Sequence, residues 1–155
     1  WNAAYGVKEV FNYDTTMHMA IFYKGSLLIG GIGDGMALIS VDDQICKDTI
    51  DSRNLFSNVT NSMCSLDVNE LLEYEIVKAE ELNEKTVMIL ATDGIADDLI
   101  PEKKLTLPNY FGQVIQENGV DTLQKKLKEW IEDWETELHS DDKTLCYLVI
   151  EKEEK

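Results

Sequence analysis

"TTMHMAIFYKGSLLIGGIGDGMALIS", residues 15–40, alternates apolar runs with glycine turns. Three apolar runs (15–23, 26–32 and 36–41) are separated by Lys24-Gly25 and by Gly33-Asp34-Gly35. Apolar runs punctuated by glycine turns at about ten-residue spacing predict strands of an antiparallel meander. Residues 51–65, "DSRNLFSNVTNSMCS", are polar and without period, which predicts a long surface loop of the kind that carries function. "LLEYEIVKA" (71–79) alternates and sets Leu72, Tyr74 and Ile76 on one side of a half-exposed strand. "TVMILA" (86–91) and "TLCYLVI" (144–150) are continuously apolar, the pattern of central strands covered on both faces.

Helices are expected around these strands. Residues Ala3 to Phe11 read as a helical start, and 108–119 and 120–140 as two further helices. In the second of these, Leu123, Leu127, Trp130 or Ile131, Trp134 and Leu138 form one apolar stripe. Asn118-Gly119 is the stop between them, and Asp121 is placed to cap the second. The expected architecture is therefore an α+β sandwich. Two mainly antiparallel sheets pack face to face, helices 108–118 and 121–138 cover an outer face, and residues 1–155 form a single domain.

Composition narrows the function classes. With 155 residues and 44% hydrophobic content, the chain can bury one substantial core. Thirty acidic against 14 basic residues give a formal net charge of −16, which opposes attraction to nucleic acid or to an anionic membrane, so neither is expected as a partner. No apolar run approaches a membrane-spanning length, and "WNAAYGVKEV" lacks the layout of a secretory signal. Cys46, Cys64 and Cys146 are odd in number and lack CxxC spacing, so neither a disulfide framework nor a zinc site is indicated and a cytoplasmic location is expected.

Three acidic clusters stand at the ends of expected strands: Asp34 in "GIGDGMAL", Asp93 with Asp97 and Asp98 in "ATDGIADDL", and Asp141 with Asp142 in "SDDKTLCYLVI". Like charges at such spacing repel one another, so a fold that converges them gains from a nearby cation. Carboxylates from separate strand ends suit hard divalent ions such as Mg2+ and Mn2+, which prefer oxygen ligands. Each cluster alone is also what an ordinary Asp-Gly turn looks like, and the weight lies in their order.

That order resembles the PP2C-type metal-dependent protein serine/threonine phosphatases, and in particular their compact bacterial members. "TTMHMAIFYKGSLLIGGIGDGMALIS" is similar to the family's paired strands followed by a Gly-Asp-(Ser/Gly) turn. "VMILATDGIADDL" resembles its strand followed by Asp-Gly-x-x-Asp, and "SDDKTLCYLVI" its late Asp-(Asn/Asp)-x-(Ser/Thr) motif opening the last strand. "FSNVTNSM" resembles the segment that precedes the Asp-Gly motif in bacterial members. The resemblance implies a four-layer α-β-β-α sandwich, incomplete at the N-terminus because the family's early acidic pair and Asp-Gly motif are not in this sequence.

By the same resemblance, Asp93 and Asp141 are ligands of the catalytic metal pair, Asp34 and Asp97 match positions holding an additional weaker metal, and Gly94 keeps the turn after Asp93 narrow. The implied cofactor is Mg2+ or Mn2+, two or three ions in a complete domain. The implied reaction is hydrolysis of phosphoserine or phosphothreonine in a phosphoprotein by a metal-activated water, with no catalytic side chain forming a covalent intermediate. The 155 residues alone are expected to be inactive, and an incomplete sheet to leave an open edge for self-association. The alternative is a non-catalytic regulatory or protein-binding module of the same fold. Arg53 reads as a surface ion-pairing residue, and Asp98, Asp142 and Lys143 as solvated turn residues. His18 reads as a buried neutral imidazole, and His139 as a helix C-terminal cap.

Overall fold

A computed structural model of the chain describes residues 14–42, 45–49, 60–82, 84–134 and 141–152, with the backbone alone at 41, 42 and 45. The helical start at 3–11, Arg53, Leu138 and His139 lie outside the described residues.

The opening stretch forms the three strands read from it, but not as one antiparallel meander, because the third joins a different sheet. Strand β1 (Met17–Tyr23) pairs antiparallel with β2 (Ser26–Ile32) across the two-residue turn Lys24-Gly25. Both turn residues have positive φ, 47° and 75°, the backbone that suits the twist of a tight hairpin. After Gly33-Asp34-Gly35 the chain leaves this sheet and enters a second one as β3 (Met36–Asp42). A short strand β4 (Ile45–Asp48) returns along β3. A helical turn α1 (Val68–Leu71) then leads into β5 (Glu73–Lys78), which pairs with β2 and completes a three-stranded sheet in the order β1-β2-β5. Strand β6 (Lys85–Ala91) pairs with β3, and the final strand β7 (Leu145–Glu151) pairs with β6, which makes a four-stranded sheet in the order β4-β3-β6-β7. Every strand pairing is antiparallel.

Between β6 and β7 run the helical turns α2 (Asp93–Ala96) and α3 (Pro101–Lys104), then helices α4 (Leu107–Asn118) and α5 (Val120–Glu132). Gly119, with φ 83°, separates the last two. Asp121 makes no capping hydrogen bond, in contrast to the sequence expectation: the cap position of α5 is Gly119, two residues earlier, which places Asp121 inside the first turn, where its charge complements the helix N-terminus.

Period-two alternation along β3 and β6 divides the core in two. Met36, Leu38, Val87 and Ile89 face α4 and α5, where they meet Phe111, Val114, Leu123 and Leu127. The intervening Ala37, Ile39 and Met88 face the other sheet and pack on Leu27 and Ile29. Helices, four-stranded sheet and three-stranded sheet are thus successive layers, the α+β sandwich expected from the sequence. Trp130, Ile131 and Trp134 continue the α5 stripe against the helix-side core. Where β3 departs from β6, the buried Ser40 side chain closes the ladder, its Oγ accepting from Val87 N at 2.9 Å.

Two further strand expectations are corrected. β7 is expected to be central, but among the described residues it is the last strand of its sheet; its residues alternate in burial, with Cys146 exposed and Leu148 39% exposed. β5 does place Tyr74 and Ile76 on one side, yet that side faces outward, both residues being 58% exposed; Leu72 precedes the strand. A continuous or alternating apolar pattern reports how a strand differs from water, and says nothing of which neighbour is supplied.

Candidate metal centre

Strand register brings the three acidic motifs to one end of one sheet. Met36, the first residue of β3, pairs with Ala91, the last of β6, and Ala91 pairs with Leu145, the first of β7. Asp34 therefore lies two residues before β3, Asp93 two residues after β6, and Asp141 four residues before β7, all beyond the same end of three adjacent strands.

The Asp93 and Asp141 segments are laced together. Thr92 precedes α2, and its Oγ1 donates to the carbonyl of Asp142 at 3.0 Å and accepts from Thr144 N at 3.1 Å. Its own amide donates to the Thr144 carbonyl at 3.1 Å. These bonds occupy the hydroxyl that a threonine in this position commonly uses to cap its helix, and α2 accordingly lacks a side-chain cap. Gly94 is pressed against the same segment: a Cβ there would stand 2.7 Å from the Asp142 carbonyl oxygen and 3.0 Å from that of Asp141. The sequence reading that glycine keeps this turn narrow thus has a steric counterpart, the approach of a second backbone. Asp93 is half-buried, and its Oδ1 accepts from Gly94 N at 2.7 Å. Asp97, at the end of the same turn, and Asp141 are exposed.

Asp34 is held from the other side. Its exposed carboxylate accepts the hydroxyl of Thr60, and Nε2 of His18 on β1 donates to its carbonyl at 2.8 Å. Gly35, with φ 132°, lets the turn approach Ala91, where a Cβ would lie 2.6 Å from the Ala91 carbonyl oxygen and 2.7 Å from His18 Nε2. His18 is half-buried and shapes this turn; since a carbonyl only accepts, its Nε2 carries a proton. Beside it, Asp14 fastens the loop residues to the start of β1. It takes the Ser62 hydroxyl on Oδ2, and on Oδ1 the amides of Cys64 and Thr15 at 3.0 and 2.9 Å. The Ser62 hydrogen bond, with help from these amides, holds the Asp14 carboxyl below its ordinary range.

Two residues expected to be solvated turns are built into the structure. Asp98 accepts from Trp134 Nε1 at 2.9 Å, and Lys143 Nζ lies 3.9 Å from the same oxygen, the two side chains being 18% and 11% exposed. Helix α3 is anchored by an ion pair between Lys104 and Asp48, whose side chains are 8% and 5% exposed. Asp142 keeps its expected exposure and contributes through its backbone. The roles of Thr60, Thr92, Asp98 and Trp134 escaped the sequence reading. A threonine just before the Asp-Gly pair was the available signal for Thr92, and a lone lysine after two aspartates was the signal for Lys143.

Among the described residues, no group of three or more His, Cys, Asp or Glu side chains is gathered closely enough to hold a metal ion. The donor chemistry of the edge is nevertheless that of Mg2+ or Mn2+: oxygen ligands only, with Asp93 and Asp141 on facing segments. Mg2+ is commonly held by one or two carboxylates completed by waters and substrate phosphate. A groove of about 500 Å³ along β4 and β5, lined by Lys47, Asp48, Thr49, Leu72, Glu73, Tyr74 and Glu75, contains none of the four candidate aspartates.

The fold and its acidic edge define a phosphatase-like α+β sandwich. The chain belongs to the protein phosphatase 2C family, whose sequence model matches residues 2–132. No curated protein and no solved structure matches it. The family match takes in the Asp34 and Asp93 motifs and ends before Asp141, so the place of the third motif comes from the pairing of β7 with β6. The family is one of protein phosphatases that are generally Mg2+- or Mn2+-dependent and act on phosphoproteins. Among the described residues, no helix is long and apolar enough to cross a membrane.

Proposed function

We propose that the chain contributes Asp93 and Asp141 as carboxylate ligands to a divalent-metal centre that hydrolyses phosphoserine or phosphothreonine in proteins, with Asp34 and Asp97 serving a weaker adjoining site. The observation that carries this reading is the register Met36–Ala91–Leu145, which sets the three acidic motifs beyond one end of β3, β6 and β7. When bound, Mg2+ or Mn2+ supplies Lewis acidity that lowers the pKa of a coordinated water and offsets charge on phosphoryl oxygens. The chain's own part is to hold the ligands. Thr92 and Gly94 keep the Asp93 turn against the Asp141–Thr144 backbone, and Thr60 and His18 orient the Asp34 turn. Two carboxylates leave coordination positions for waters, substrate phosphate or further ligands.

The test is calorimetric titration of the chain with Mn2+ and Mg2+, followed by hydrolysis of a phosphothreonine peptide. Hydrolysis is measured on the 155 residues and on the same chain joined to an N-terminal segment carrying an acidic pair and an Asp-Gly motif. Asp93→Asn and Asp141→Asn should each abolish most metal binding and activity while leaving the thermal melt in place, because the amide keeps the shape and loses the charge. Absence of metal-dependent hydrolysis in the joined chain would leave a non-catalytic binding module of the same fold.

A further inference from the structure

We infer that Asp98, Lys143 and Trp134 form a clamp that fixes the Asp93 turn against the Asp141 segment, with Lys143 acting as a positioning residue for the candidate ligands. The clamp joins three separate pieces of chain. Asp98 follows the α2 turn, Trp134 lies two residues past the end of helix α5, and Lys143 stands between Asp141 and β7. One carboxylate oxygen, Asp98 Oδ2, receives the indole N–H at 2.9 Å and faces the ammonium at 3.9 Å. The ammonium also sits 5.9 Å from the Trp134 ring centroid, and Trp134 is itself braced by Trp130, with ring centroids 4.5 Å apart. Low exposure makes these contacts stronger than surface ion pairs, since solvent screens them less.

The electrostatics of the two segments give the clamp its purpose. Asp93, Asp97, Asp98, Asp141 and Asp142 place five formal negative charges on them, and Lys143 one positive. Left alone, the segments repel. Asp98 converts part of that repulsion into attraction by presenting its charge to Lys143, and the indole bond fixes which way the carboxylate points.

A positioning role and a simple countercharge role predict opposite signs for one substitution. If Lys143 were only a positive charge near a cation site, Lys143→Met would remove a like charge and tighten Mn2+ binding. As part of the clamp, its loss lets the two segments separate and weakens Mn2+ binding by about tenfold, the usual scale for residues that orient metal ligands. Trp134→Phe keeps an aromatic ring of smaller size and removes the N–H without any change of charge, and should weaken binding in the same direction. Lys143→Arg should restore it.

The experiment is hydrogen exchange by mass spectrometry on the 155-residue chain and these three variants, paired with Mn2+ titration. The exchange measurement is independent of the metal reading, and the affinity measurement rests on it. Expected are about tenfold faster exchange in residues 91–99 and 141–148 for Lys143→Met and Trp134→Phe, wild-type exchange in β1 and β2, and recovery in Lys143→Arg. Unchanged exchange in the first two variants overturns the clamp. Faster exchange together with tighter Mn2+ binding overturns the positioning role of Lys143. If the 155-residue chain binds no Mn2+, exchange alone decides whether the clamp exists, and the Mn2+ titration is made on the chain joined to the N-terminal acidic segment, where unchanged or tighter binding in Lys143→Met overturns the positioning role.

Discussion

Gly94 and Asp142 touch through their backbones, a Cβ at residue 94 falling 2.7 Å from the Asp142 carbonyl oxygen. The neighbour is backbone, already bonded to Thr92, and cannot swing aside as a flexible side chain would. Gly94→Ala should therefore push the Asp93 turn and the Asp141 segment apart, costing about 1–3 kcal/mol, the range for overpacking a tight site. Urea denaturation measures the loss. Weaker Mn2+ binding in the same variant would show that the contact sets ligand spacing as well as stability.

The Lys104–Asp48 pair joins α3, just beyond the Asp93 turn, to β4 at the opposite edge of the sheet. Asp48 is held further by the Ala37 amide, which donates to its Oδ1 at 3.2 Å. Removing one partner strands a charge in a place with little water, so Lys104→Met should cost about 3–5 kcal/mol in urea denaturation. Lys104→Met combined with Asp48→Asn should recover part of the loss, because no charge remains and the amide oxygen still accepts from Ala37. A single substitution that costs less than 1 kcal/mol would assign the pair no structural weight.

Acid should release the 62–65 loop from β1. Asp14 is held below its ordinary value of 3.8 by the Ser62 hydroxyl first, and by backbone amides. A carboxyl depressed in the folded state stabilises it above the unfolded pKa, and that contribution is lost as pH falls through the lower folded value. Protection of the Cys64 amide against exchange, taken relative to the intrinsic rate at each pH, should hold above the ordinary carboxyl range and fall as pH drops through the depressed folded value of Asp14. Asp14→Asn should remove this pH step.

Alkylation should distinguish the three thiols. Burial pushes the Cys46 thiol above its usual value of 9.0, against a lowering contact with Asn109, and desolvation with the nearby Asp14 raises Cys64. Cys146 is exposed on the outer side of β7. The thiolate is the reacting form, so iodoacetamide at pH 8 should modify Cys146 first, and peptide mapping would identify it. Early modification of Cys46 would show that its surroundings open more readily than the structure implies.

The local elements were legible in the amino-acid order because they depend on near neighbours. Lys24-Gly25 and Gly33-Asp34-Gly35 mark turns through backbone conformations that short or glycine-containing segments adopt, and Leu123, Leu127 and Trp130 mark a helix face through a period of 3.6. The order of acidic motifs likewise pointed to the family, and to a common sheet end for the Asp34, Asp93 and Asp141 motifs. Which strand neighbours which was decided by tertiary packing alone. β7 is as apolar as β6 and yet ends its sheet, and Tyr74 and Ile76 alternate as a core face would and yet point outward. Asp98 shows the same division. Beside Asp97 in sequence it is one more acidic turn residue; its function as a clamp depends on Trp134, 36 positions away, and on Lys143, which only the pairing of β7 with β6 brings back to the turn. Charge and periodicity are properties of a segment, whereas a hydrogen bond needs its partner in place, and the fold is what supplies the partner.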